Sequence, residues 1–87
     1  MKYEVIVYEQ KNGRQPFWED YDRLPGNMRF RVLDVLGWLR QEDGLEKVET
    51  RPVRNGLLEI KTGAVRMLYF YVKGRIIVLT SIFIKKT

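Results

Sequence analysis

The chain has 87 residues, 45% of them hydrophobic, and a formal net charge of +5. That length allows one domain, residues 1–87, with a single modest core. With no cysteine and no histidine, a disulfide framework, thiolate chemistry and the commonest acid–base and metal-ligating side chain are all excluded, and no metal or cofactor is expected.

Tyr3 to Tyr8 reads as a β-strand, rich in β-branched and aromatic residues, ended by Lys11-Asn12-Gly13. Pro16 fits the first turn of a helix, where its missing N–H costs nothing. Gln15 is a mediocre cap there, and Glu19 and Asp20 suit the positive end. Pro25-Gly26 stops that helix near Leu24. Asn27 is the expected N-cap of a second helix. Met28, Val32, Val35, Leu36 and Leu39 fall on one stripe of it, which Phe30 and Leu33 widen. Gln41-Glu42-Asp43-Gly44 closes it, with Gly44 suited to the left-handed position beyond the end. Leu45 to Asn55 reads as a polar connection. Three strands follow, with two-residue corners predicted at Thr62-Gly63 and Lys73-Gly74.

Those corners set a register. Glu59 faces Arg66, which faces Ser81; Lys61 faces Ala64, which faces Phe83. Alternation then puts Glu59, Lys61, Arg66, Ser81, Phe83 and Lys85 on a cationic face. Leu58, Ile60, Val65, Met67, Tyr69, Val78, Thr80, Ile82 and Ile84 form an apolar face that packs on the helices. The expected fold is α+β: an N-terminal strand, a helical hairpin, then three antiparallel strands, with the helices on one face of a four-stranded sheet. Charge is uneven along it. Residues 51–87 carry eight Lys/Arg and one acid, Glu59, whereas residues 1–50 carry eight Lys/Arg and ten acids. A sheet that gathers cations in this way suits a polyanion. No apolar stretch approaches the ~20 residues of a membrane span, and Met1-Lys2-Tyr3-Glu4-Val5 lacks a signal peptide's apolar run, so a cytoplasmic protein with no membrane partner is expected.

The element order, with Pro16-Phe17 opening the first helix, Gly56-Leu57-Leu58-Glu59-Ile60-Lys61, Val65-Arg66-Met67-Leu68-Tyr69 and the ending Ile82-Phe83-Ile84-Lys85-Lys86-Thr87, resembles the RelE/ParE toxin superfamily. Within it the HigB-like, phage-associated branch fits best, through its "F-x-K-K-T" ending. The resemblance implies a RelE-like fold and cleavage of mRNA in the ribosomal A site. It also implies neutralisation by a helix-turn-helix antitoxin, through which alone operator DNA would be met. Two departures stand out. Lys61 occupies the place of the Arg common in the family's "E-L-R" motif, keeping the charge without the planar fork. Relatives often continue past "K-K-T", so a catalytic residue carried there is missing from this sequence.

Cleavage of RNA by its own 2′-OH needs a proton acceptor, charge stabilisation at the phosphate and help for the leaving 5′-oxygen. Arg66 suits the phosphate, since its guanidinium can donate two parallel bonds. Lys61 or Lys85, crowded by other cations, suits proton transfer. Glu59 suits orienting Arg66 better than acting as base. Phe83 suits stacking on an unpaired base, and Lys86, Arg54 and Arg75 suit RNA binding. The bland counterparts are a cross-strand ion pair for Glu59–Arg66, edge protection for Lys85-Lys86 and core packing for Tyr69, Tyr71, Trp18 and Trp38. The helix arginines Arg23, Arg29, Arg31 and Arg40 read as a solvated face, with Arg29 and Arg31 candidates for rRNA. Two rival functions remain open at this level: a ParE-like gyrase inhibitor, and an inactive remnant that binds RNA or antitoxin.

Overall fold

The computed structural model describes residues 2–86; Thr87, the last residue of the "K-K-T" ending, lies outside them. In chain order the elements are β1 (Glu4–Val7), α1 (Pro16–Arg23), α2 (Gly26–Leu39), a 3₁₀ turn (Gly44–Lys47), β2 (Glu49–Arg54), β3 (Leu57–Thr62), β4 (Val65–Val72) and β5 (Ile76–Ile84). The strands form one sheet in the order β1-β5-β4-β3-β2. The α+β class and the order of the expected elements are found. The sheet has a fifth strand, however, and β1 joins it parallel to β5.

That fifth strand is β2, in the segment that reads as a polar connection. All six of its residues are exposed, so it has no apolar alternation to betray it. Its hairpin with β3 turns on Asn55 and Gly56, both at positive φ (49° and 80°), the two-residue corner that Asn-Gly favours. Pro52, exposure and a register shift between Pro52 and Arg54 mark it as an edge strand.

Helix α1 opens at Pro16 as expected, without a side-chain cap from Gln15. Its last carbonyls are taken by a residue of α2: Arg29 donates through Nε to Leu24 O (3.0 Å) and through Nη2 to Asp22 O (2.7 Å). Arg29 is therefore a brace of the hairpin rather than a free cation. Helix α2 starts at Gly26, not after an Asn27 cap, because the Pro25 carbonyl already accepts from Met28 and Arg29. Val32, Val35, Leu36 and Leu39 are buried with Phe17 of α1 against Ile60, Val65, Met67, Tyr69, Ile77, Leu79 and Ile82 of the sheet. Phe30 and Leu33 do not widen that stripe; they are 69% and 45% exposed. The left-handed residue after α2 is Asp43 (φ 54°), not Gly44. Gly44 is needed for space, since a Cβ there would lie 1.6 Å from the Trp38 carbonyl oxygen.

Both corners of the C-terminal strands differ from expectation. Thr62 pairs with Val65, so the β3–β4 corner is Gly63-Ala64, one residue later. Val72 pairs with Ile76, so the β4–β5 loop has three residues, Lys73 to Arg75. The odd loop reverses the faces at the start of β5: Ile77 and Leu79, not Val78 and Thr80, join the core beneath the helices. A bulge then restores the alternation, because Leu68 pairs with Ser81 while Tyr69 pairs with Leu79, leaving Thr80 without a partner residue. Beyond it Ile82 and Ile84 again face the helices and Ser81 and Phe83 the open side. Where β5 runs past β1, Asp20 Oδ2 of α1 accepts the Ile82 N–H at 2.9 Å, covering part of that free edge.

Candidate nucleic-acid interface

The face of the sheet away from the helices carries two cross-strand rows. Glu49, Lys61, Arg66 and Phe83 are successive partners across β2, β3, β4 and β5; Arg51, Glu59, Leu68 and Ser81 form the next row. Arg66 therefore sits between Lys61 and Phe83, and Glu59 lies one step along and diagonal to it, rather than opposite as the predicted corners had it. The shift is a full pleat of two residues, so the faces of β3 and β4 are as expected while the neighbours change.

Although no helix covers this face, Glu59 and Arg66 are only 4% and 6% exposed. Arg51 donates through Nε to Glu59 Oε1 at 2.6 Å, and Arg66 Nε approaches the same oxygen at 3.6 Å. One buried carboxylate thus holds two guanidinium groups. Arg66 also turns back on the β3–β4 corner, donating through Nη1 to Gly63 O (2.7 Å) and Val65 O (3.1 Å). Its buried Nε has no hydrogen-bond acceptor within the described residues. A buried donor left in that state costs about 1–3 kcal/mol, which the Glu59 carboxylate 3.6 Å away offsets in part.

Lys61 Nζ lies 3.7 Å from Glu49 Oε2, both side chains being well exposed, a surface pair that an incoming anion displaces at little cost. Phe83 presents a ring that is 42% exposed. The Lys85 N–H donates to Ala64 O at 2.8 Å, which pins exposed Lys85 and its neighbour Lys86 at the Gly63 end of the sheet. Arg31 reaches this end from α2: its guanidinium lies so close to Gly63 that a Cβ there would be 3.0 Å from it. Arg54 and Arg75 belong elsewhere. They border the β2–β3 and β4–β5 corners; at ~3.3 Å per residue Arg75, beyond Val72, lies about 20 Å or more along β4 from Arg66, and Arg54, whose partner Leu57 is four residues from Lys61, lies about 13 Å along the strands from the row.

Sequence reasoning missed Arg51. The Asn55-Gly56 corner was its available signal, but that corner alone pairs Arg51 with Ile60. The irregularity after Pro52 brings it to Glu59. Tyr69 is wholly buried, and burial pushes its hydroxyl well above the ordinary tyrosine range, with the Tyr71 hydroxyl adding to the effect; it is a neutral core group. Among the described residues no three His, Cys, Asp or Glu side chains are placed to hold a metal ion, and no helix is long and apolar enough to cross a membrane.

A sheet of this order under a helical hairpin is the fold of the RelE toxins. The chain superposes on a structure of the toxin–antitoxin complex RelBE2 from Mycobacterium tuberculosis with a TM-score of 0.70 and 19% identity, over 98% of this chain and 100% of that one. It matches an archaeal RelE–RelB complex from Pyrococcus horikoshii with a TM-score of 0.68 and 20% identity, over 97% and 96% of the two chains. No curated protein matches the sequence. Residues 19–87 match the family described as phage derived protein Gp49-like (DUF891), and the chain belongs to that family.

Proposed function

We propose that the chain is the toxin of a type II toxin–antitoxin system of the HigB kind, an endoribonuclease that cuts mRNA in the ribosomal A site. The observation that carries this reading is the row Lys61–Arg66–Phe83 backed by buried Glu59. Arg66 binds the scissile phosphate and stabilises the charge that develops on it. Glu59 and Arg51 hold that guanidinium in place from behind. Lys61 and Lys85 flank the phosphate, one accepting the 2′-OH proton and the other supporting the leaving 5′-oxygen. Phe83 stacks on an unpaired base, worth ~1–3 kcal/mol, and Lys86 adds a backbone contact. With no imidazole in the chain, in-line placement of the mRNA by the ribosome supplies much of the acceleration.

The reading includes a cognate helix-turn-helix antitoxin, and contact with operator DNA through it alone. It is supported by the family and by the two similar structures, each of a RelE-type chain in complex with its partner.

The test is induced expression in bacteria with growth followed and mRNA 5′ ends mapped. Growth arrest with new, translation-dependent 5′ ends is expected. Cleavage should fall by about 10²–10³-fold in Arg66→Ala, and part of it should return in Arg66→Lys. Arrest without cuts points to the gyrase-inhibitor alternative and overturns the nuclease reading. No arrest from soluble protein points to an inactive remnant.

A further inference from the structure

Two arginines from different layers of the fold meet at the β3–β4 corner. Arg66 comes from the open face of the sheet and donates through Nη1 to Gly63 O at 2.7 Å. Arg31 comes to the same glycine from α2. Its Cζ, Nη1 and Nε lie 3.0, 3.0 and 3.1 Å from the position a Gly63 Cβ would take. Three atoms of one plane at nearly equal distance from that point set the guanidinium face-on to the corner. Its N–H groups lie in the plane and point past the corner, so packing fixes the group without using its donors. Gly63 permits the contact, being at φ 59° and leaving free the room that the guanidinium fills. Arg31 is exposed, and among the described residues it makes no hydrogen bond or ion pair; Asp34, one turn along α2, does not pair with it.

The two contacts and the dimensions of one residue bring the guanidinium groups within about 9 Å of each other. The acids of the open face are engaged elsewhere, Glu59 with Arg51 and Arg66, and Glu49 with Lys61. Exposed Lys85 is held at the same corner by its N–H on Ala64 O. Arg66 turns Nη1 to the corner carbonyls and Nε toward Glu59, whereas the donors of Arg31 are open. Cations gathered in this way repel one another, and an anion that spans them relieves the repulsion.

We propose that Arg31 binds the substrate strand, taking the phosphate next to the one at Arg66. The ligand is a phosphodiester of single-stranded RNA: the edge of the guanidinium donates two parallel bonds to phosphate oxygens, and cations in succession track the backbone of one extended strand. The strand thus leaves the Lys61–Arg66–Phe83 row around the Gly63 end of the sheet, toward α2. That Arg66 holds the scissile phosphate rests on the nuclease reading; the Arg31 contact needs only that a single strand binds here.

The probe is a fluorescent single-stranded oligonucleotide with 2′-O-methyl sugars, which has no free 2′-OH to attack, titrated with the whole chain between about 20 and about 200 mM KCl. The logarithm of the affinity should fall linearly with that of the salt concentration, with a slope about 0.7 shallower in Arg31→Ala. Arg31→Lys keeps the charge and should keep the slope. At the low-salt end Arg31→Ala should bind about 3–10-fold more weakly. Arg40→Ala, at the other end of α2, removes the same charge and should leave the slope alone. Arg31 and Arg40 are both exposed, so circular dichroism should be the same in every variant. An Arg31→Ala chain that binds as the wild type does, or a wild type that does not bind the oligonucleotide, overturns the proposal. So does an equal loss in Arg40→Ala, which marks net charge alone, or a loss confined to binding of empty ribosomes, which assigns Arg31 to rRNA. The nuclease reading fails separately: a wild type that binds the strand through Arg31 yet leaves translated mRNA uncut upholds this contact and sinks that reading.

Discussion

Glu59 is the residue on which the open face turns. Its carboxylate is buried, bonded to Arg51 and close to Arg66, so removing either cation leaves a buried charge short of compensation. The two losses differ. Arg51 is largely exposed, and water replaces part of its bond, so Arg51→Ala should cost about 1 kcal/mol in urea denaturation. On the nuclease reading it should also slow cleavage, but far less than Arg66→Ala, because Arg51 bonds Glu59 and lies outside the Lys61–Arg66–Phe83 row. Equal losses of activity would mean that Arg51 itself contacts the RNA. At this scale the sequence was informative about residue type: Glu59, Lys61, Arg66 and Phe83 share one face as expected. Their adjacency was hidden, since register follows from loop length and a one-residue difference at a glycine corner moves every partner by a pleat.

Among the elements, β5 best separates what patterning can and cannot reveal. Its run Ile76-Ile77-Val78-Leu79 is apolar on both sides, and no alternation tells which side faces the helices. The three-residue loop and the Thr80 bulge decide that, and both are backbone features. The consequence is measurable. Leu79→Ala should cost about 2–5 kcal/mol, because Leu79 is fully buried under the helices. Thr80→Ala should cost about 1 kcal/mol, losing the bond from its hydroxyl to Leu68 O. The opposite ranking in chemical denaturation would restore the unbulged register. β2 was invisible for the converse reason. With every side chain exposed, it has no hydrophobic signal, and it exists because Asn55-Gly56 folds it back onto β3.

At the level of the whole molecule, the order of helices and hairpins was legible because each is specified locally, by proline, glycine and periodicity. The parallel union of β1 with β5 was not, since nothing local tells a strand which distant partner it will meet. Residues Glu4 to Val7 pair with Ile76 to Leu79 and with no other strand. A chain ending at Gly74 should therefore give no slowly exchanging amides in β1, whereas the 87-residue chain should protect Glu4 and Ile6; protection in the short chain would mean that β1 has another partner.

The same pairing bears on the order of synthesis. The first strand to leave the ribosome has nothing to join until the fifth has followed it out. Phe83, which completes the row beside Arg66, arrives on that same fifth strand. The sheet and the row are thus finished by a single late event, and a half-made chain carries neither a closed fold nor the assembled Lys61–Arg66–Phe83 row.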